Sequence, residues 1–94
     1  MAQVFVDPEK LEMFASRLVA FNVVIGGTLQ HLRGALQSLG EFWRDQEYEK
    51  FRDAFNRTEK VLTELMREIE GIHPKLREDA YHIREYHRIS PPGG

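Results

Sequence analysis

Leu36-Gln37-Ser38-Leu39-Gly40-Glu41-Phe42-Trp43-Arg44-Asp45-Gln46-Glu47 is the stretch that decides how this chain folds. To its left an apolar helical repeat stops at Leu39, and to its right another begins at Tyr48. Gly40 reads as the stop of the first helix, in the left-handed conformation open to glycine. Asp45 reads as the cap of the second: its carboxylate accepts from free N–H groups, and Gln46 and Glu47 fill a first turn whose positive end favours acids. A turn of about five residues makes the two helices antiparallel neighbours.

Upstream, the first helix starts at Asp7-Pro8-Glu9-Lys10. Asp7 caps, Pro8 occupies a position that needs no N–H, and Glu9 opposes the helix dipole. Val6 and Leu11 have the spacing of a hydrophobic staple. The apolar series then runs Leu11, Phe14, Leu18, Phe21, Ile25, Leu29, Leu32, Leu36, Leu39, in steps of three and four. Val24, Ala15 and Ala35 widen this stripe beyond what one partner helix covers. Gly26, Gly27 and Gly34 interrupt the helix propensity but not the spacing, so they are read as points of close backbone approach.

Downstream, the series is Tyr48, Phe51, Phe55, Thr58, Leu62, Leu65, Ile69, Ile72, Leu76, an unbroken heptad register. Gly71 and Pro74 predict an end or kink near residues 71–73, because proline lacks an N–H and disfavours helix at His73. The expected organisation is a single hairpin domain over residues 1–90: helix 8–39, turn 40–45, helix 46–72, then a shorter helical segment at 75–87. Residues 91–94, Pro-Pro-Gly-Gly, read as a disordered tail.

Composition narrows the function. The chain has 94 residues, 41% hydrophobic and 30% charged, with net charge -2 and no cysteine. It is too apolar to be disordered throughout, has no thiolate for a disulfide or a metal site, and lacks the basic footprint of a nucleic-acid binder. Its start does not have the pattern of a cleavable signal peptide. The apolar run Leu18 to Gly27 is short of a bilayer span and is interrupted by Asn22, so no membrane span is expected. Two helices alone bury too little, and the broad first stripe calls for pairing two hairpins into a four-helix bundle. The expected dimer core is Leu18, Phe21, Ile25, Leu29 and Leu32, joined by Phe51, Phe55, Leu62 and Leu65.

A helical hairpin of this length with Trp in its turn resembles the WXG family, the small early-secreted-antigen-like proteins of bacterial type VII secretion. The resemblance is carried by Val6-Asp7-Pro8-Glu9-Lys10-Leu11, by Leu39-Gly40-Glu41-Phe42-Trp43, and by Glu47-Tyr48-Glu49-Lys50-Phe51 with Phe55. The family pattern is Trp, any residue, Gly, and this chain has Trp43-Arg44-Asp45 instead. The resemblance implies a small non-enzymatic protein made in the cytoplasm and secreted as a folded dimer, as substrate or secretion partner. Its partners would be a second copy, or a paralogous hairpin, and a type VII export ATPase. Family export signals carry Tyr, three residues, then an acid, and Tyr81-His82-Ile83-Arg84-Glu85 has that spacing. On a helix the phenol and carboxylate lie one turn apart on one face.

Each candidate has a plainer reading. Trp43 also serves as a hairpin-tip residue packed against helix ends, and Tyr81 with Glu85 also reads as an ordinary surface pair. His31 reads as a partly buried or interface histidine. The enzymatic rival is metal chemistry: Glu70-Gly71-Ile72-His73 has the spacing of di-iron bundles, and Glu78 or Asp79 shares a face with His82. A di-iron site needs two such motifs plus further inward acids, and the stripes are almost wholly apolar. No catalytic residue, cofactor or metal site is therefore assigned. The alternative function is a cytosolic hairpin acting as chaperone or adaptor for a larger toxin-like partner.

Overall fold

The computed structural model describes residues 6–89. The tail at 91–94 lies outside the described residues. The fold is all-α, a hairpin of two antiparallel helices, α1 (Pro8–Leu39) and α2 (Gln46–Ile89).

Local chemistry sets three of the four helix ends. Asp7 Oδ1 accepts the Glu9 N–H at 2.9 Å, and the Asp7 carbonyl accepts from Lys10 and Leu11, starting α1. After Leu39 the backbone tightens. Glu41 N–H bonds to Ser38 O at 3.2 Å and Phe42 N–H to Leu39 O at 3.1 Å, which satisfies carbonyls a helix end leaves free. Asp45 Oδ1 accepts the Tyr48 N–H at 3.1 Å and caps α2.

Gly40 does not adopt the left-handed conformation expected of it. Its reason is steric. A Cβ built there would lie 2.4 Å from the Tyr48 hydroxyl oxygen and 2.6 Å from Cζ, and that hydroxyl donates to the Leu36 carbonyl at 3.3 Å. The phenol of α2 thus lies over the last turn of α1, and only glycine leaves it room.

Of the end or kink expected near residues 71–73, the end does not occur: α2 runs on to Ile89 with Pro74 inside it. Proline removes one backbone bond, a cost of about 3 kcal/mol in a helix interior. Packing on both sides of it offsets that cost: Ile69 and Ala80 are buried, and His73 and Leu76 are half-buried. Tertiary contacts override the local signal. Residues 75–87 are therefore part of α2 and are packed, not a separate segment.

Packing divides into two compact units. One joins the chain up to Ala20 with the chain from Ile69; the other is Phe21–Glu68. In the first, Ala15, Ile69 and Ala80 are buried, with Leu11, Leu18 and Ile83 half-buried. In the second, Leu29 is buried, and Ile25, Leu36, Phe55, Leu62 and Met66 are half-buried. There Asn22 Nδ2 donates to the Met66 carbonyl at 2.9 Å while its Oδ1 is buried without a partner. Arg33 Nε donates to Glu59 Oε2 at 3.0 Å at the rim.

The covered positions define the seams. On α1 they include Leu11, Ala15, Leu18, Asn22, Ile25, Leu29 and Leu36; on α2 they include Tyr48, Phe55, Glu59, Leu62, Met66, Ile69, His73, Leu76, Ala80, Ile83 and His87. Both follow three-and-four spacing. Four of the nine positions of each apolar stripe read from sequence fall outside them: Phe14, Phe21, Leu32 and Leu39 on α1, and Phe51, Thr58, Leu65 and Ile72 on α2, are exposed.

By length and composition α1 is apolar enough to cross a membrane, with mean hydropathy 1.2 over an 18-residue window. That average arises because no Asp, Glu, Lys or Arg lies between Arg17 and Arg33. The same stretch supplies one covered face, through Asn22, Ile25 and Leu29, and one open apolar face, through Phe21, Val24 and Leu32.

Candidate functional site

At the turn, Trp43 is half-buried, its ring 6.0 Å from Tyr48 in an edge-on arrangement and 5.7 Å from Phe51. A side-chain hydrogen bond from Trp43, followed by the Tyr48 backbone N–H, holds the Asp45 carboxyl below the ordinary carboxylate range. Trp43 lies beside the cap of α2, packed on Tyr48 and Phe51. Asp45, where the family pattern has glycine, gives the second helix its capping acceptor. The neighbouring Phe42 is 87% exposed.

Near the end of α2, Tyr81 is 59% exposed, with its ring edge-on to His82 at 5.6 Å. Glu85, one turn on, is half-buried and accepts from Arg88 Nη2 at 3.2 Å. The helix thus presents phenol and carboxylate on one face. Trp43 belongs to the Phe21–Glu68 unit, and Tyr81 and Glu85 to the other.

The flanking arginine is engaged elsewhere. Arg84 Nη1 donates to Glu12 Oε1 of α1. That bond, ahead of the charges of Arg84 and Arg77, holds the Glu12 carboxyl below its ordinary range. Arg77 Nη2 donates to Ser16 Oγ at 3.2 Å. These contacts were not read from the sequence, since nothing local pairs residues so far apart in the chain. The register of Ala15 and Ala80 in the seam is the signal that brings them together.

The five residues expected to form the dimer core divide. Leu29 is buried within the single hairpin, and Leu18 and Ile25 are half-buried there; Phe21 and Leu32 are exposed. The open apolar face of α1 also holds Phe14, Val24 and Leu39. Of the three glycines read as points of close backbone approach, a Cβ added at Gly26 would lie 3.2 Å from a side-chain atom, Met66 Cε, and among the described residues one added at Gly27 or Gly34 would meet nothing within 4 Å. Among the described residues, then, no partner backbone approaches these positions. His31 is exposed beside Gly27, in a shallow depression with Val23, Val24, Thr28 and Leu32.

Glu70 is exposed, whereas His73 is half-buried in the seam with a buried, unpartnered Nδ1. His82 lies 3.6 Å from Glu78 on the exposed side of α2. Among the described residues no group of three or more His, Cys, Asp or Glu is placed to hold a metal ion.

A two-helix hairpin with an indole tied into its turn and an apolar face left open defines a class of small helical-hairpin proteins. The chain belongs to the family of proteins of 100 residues with WXG, which matches residues 3–86. The fold is that of the secreted protein EsxB from Bacillus anthracis strain Sterne. The wild-type EsxB structure matches with a TM-score of 0.75 and 26% identity over 89% of this chain and 97% of that one. A selenomethionine-labelled form gives 0.75 and 26% over 90% and 97%. Comparison with curated proteins finds no match.

Proposed function

We propose that this hairpin is a small secreted protein of a type VII secretion system, exported folded as a dimer and acting as substrate or secretion partner, not as an enzyme. The observation that carries this reading is the family match along nearly the whole hairpin, joined to a fold shared with a secreted relative. Two features of the chain support it. Tyr81 and Glu85 stand one turn apart on a rigid helix, a phenol and an acid accessible to a receptor. In the Phe21–Glu68 unit, Phe21, Val24 and Leu32 of α1 are left exposed, large apolar side chains of the kind an interface takes out of water. A second copy of the chain, or a paralogous hairpin, covers them and completes a four-helix bundle. An export ATPase then reads Tyr81 and Glu85, with Trp43 contributing at the turn.

Fractionation of an export-competent culture tests the reading. The protein is expected in the medium, with Tyr81→Ala and Glu85→Ala held back in the cells. Retention of the wild type, or normal export of both variants, defeats it. Sedimentation at micromolar concentration tests the pairing, and a stable monomer with no co-purifying hairpin defeats that part.

A further inference from the structure

The Tyr81–Glu85 pair is held on its side of the molecule by a small set of contacts. Ala15 of α1 and Ala80 of α2 are both 0% exposed in the same packing unit. Alanines there let two helices approach closely. On either side of Ala80, one turn away, stand the two arginines that reach across: Arg77 to Ser16 at 3.2 Å and Arg84 to Glu12. Asp7 and Glu9, in the first turn of α1, add negative charge that favours the Arg84 guanidinium. Arg84 lies directly between Tyr81 and Glu85 in sequence, yet its charge is spent on α1, while Glu85 bonds to Arg88. The end of α2, which as a helix terminus would fray, is tied to the start of α1.

We propose that Arg84, aided by Arg77, is a positioning residue for the Tyr81–Glu85 pair: its bond to Glu12 holds the last turns of α2 on α1, so that the export receptor reads the phenol and the acid on a closed two-helix face. The receptor fitted to that face offers an aromatic-accepting pocket beside a cation, at a spacing set by one helical turn. The inference rests on the reading of Tyr81 and Glu85 as a recognition pair. It adds that a freed terminal helix with the same two residues is a poor ligand.

The test is a charge reversal in the full-length protein. Arg84→Glu, Glu12→Arg and the two combined are compared by amide hydrogen exchange over residues 77–89 and by the secreted fraction of an export-competent culture. Circular dichroism confirms that each variant is helical. Arg33→Glu, which breaks the exposed pair with Glu59 in the other unit, controls for general loss of stability. Each single reversal is expected to speed exchange over 77–89 by about two- to fivefold, the size of an exposed ion pair, and to lower secretion by a similar factor. The double reversal is expected to restore both, and Arg33→Glu to leave secretion unchanged.

Three results overturn the proposal while leaving the recognition reading intact. Arg84→Glu is secreted normally while Tyr81→Ala is retained; or the double reversal restores slow exchange but not secretion, which makes Arg84 a direct contact; or Arg33→Glu lowers secretion equally. Normal secretion of both Tyr81→Ala and Glu85→Ala is a different failure. It removes the recognition reading, and the proposal with it, whatever the exchange data show.

Discussion

Asp45 caps α2 by accepting the Tyr48 N–H, and its carboxylate lies beside the Trp43 turn. Its carboxyl is held below the usual range, so the sign of the pH effect follows. A depressed folded-state pKa contributes stability that is present above the unfolded value and is lost as pH falls through the folded one. Glu12, depressed by Arg84, acts in the same direction. The hairpin is therefore expected to lose stability on acidification below the ordinary carboxylate range. Asp45→Asn is expected to flatten the share of that loss felt at Trp43, read by indole fluorescence along an acid titration. An unchanged titration in the variant counts against the cap. The role of Asp45 was legible in sequence because a cap involves neighbours within three residues. That of Gly40 was legible only in part. Its place at the helix end could be read, but its cause is the phenol of Tyr48 twelve residues from Leu36, and a contact across a turn leaves no local mark.

At the scale of the helices, the spacing of large apolar residues gave the hairpin but placed its seam one step off. Phe14 and Phe21 dominate the eye, yet the covered positions beside them are Ala15 and Asn22. An alanine and an amide carry no hydropathy signal; they are selected by close approach and by the bond from Asn22 to the Met66 carbonyl. On α2 the same shift puts Glu59, Met66 and His73 in the seam in place of Thr58, Leu65 and Ile72. Pro74 fails as a signal for the opposite reason. It is locally strong, but Ile69 and Ala80 are anchored on both sides of it. In an uninterrupted helix, replacing Pro74 restores one backbone bond to the Glu70 carbonyl. Pro74→Ala is expected to raise stability by about 1 to 3 kcal/mol, visible as a higher melting temperature by circular dichroism. A helix already broken at residue 74 gains nothing from this change, so an unmoved melting temperature contradicts the continuous α2.

For the whole molecule, what packing leaves uncovered carries more information than what it covers. Among the described residues the buried apolar set is Ala15, Leu29, Ile69 and Ala80, too small a core for a domain of this size to rest on alone. The uncovered set, Phe14, Phe21, Val24, Leu32, Phe51, Leu65 and Ile72, is what the proposed partner hairpin takes out of water. Gly27 distinguishes a hairpin built to pair through α1 from one that is not. Among the described residues nothing lies within 4 Å of a Cβ placed there, so in the lone hairpin Gly27→Ala relieves the entropic cost of a helical glycine and adds about 0.5–1 kcal/mol of stability. In a pair whose helices meet along Val23, Val24, Gly27 and Thr28, the same methyl group enters the contact and costs about 1–3 kcal/mol as overpacking. The variant is thus expected to melt higher when dilute and monomeric, yet to dissociate at a concentration roughly five- to a hundredfold higher than the wild type. Sedimentation across a dilution series, with thermal melts at its two ends, reads both effects from one preparation. If the variant gains stability and associates as before, the partner sits on another face, and Phe51, Leu65 and Ile72 of α2 become the surface to vary next.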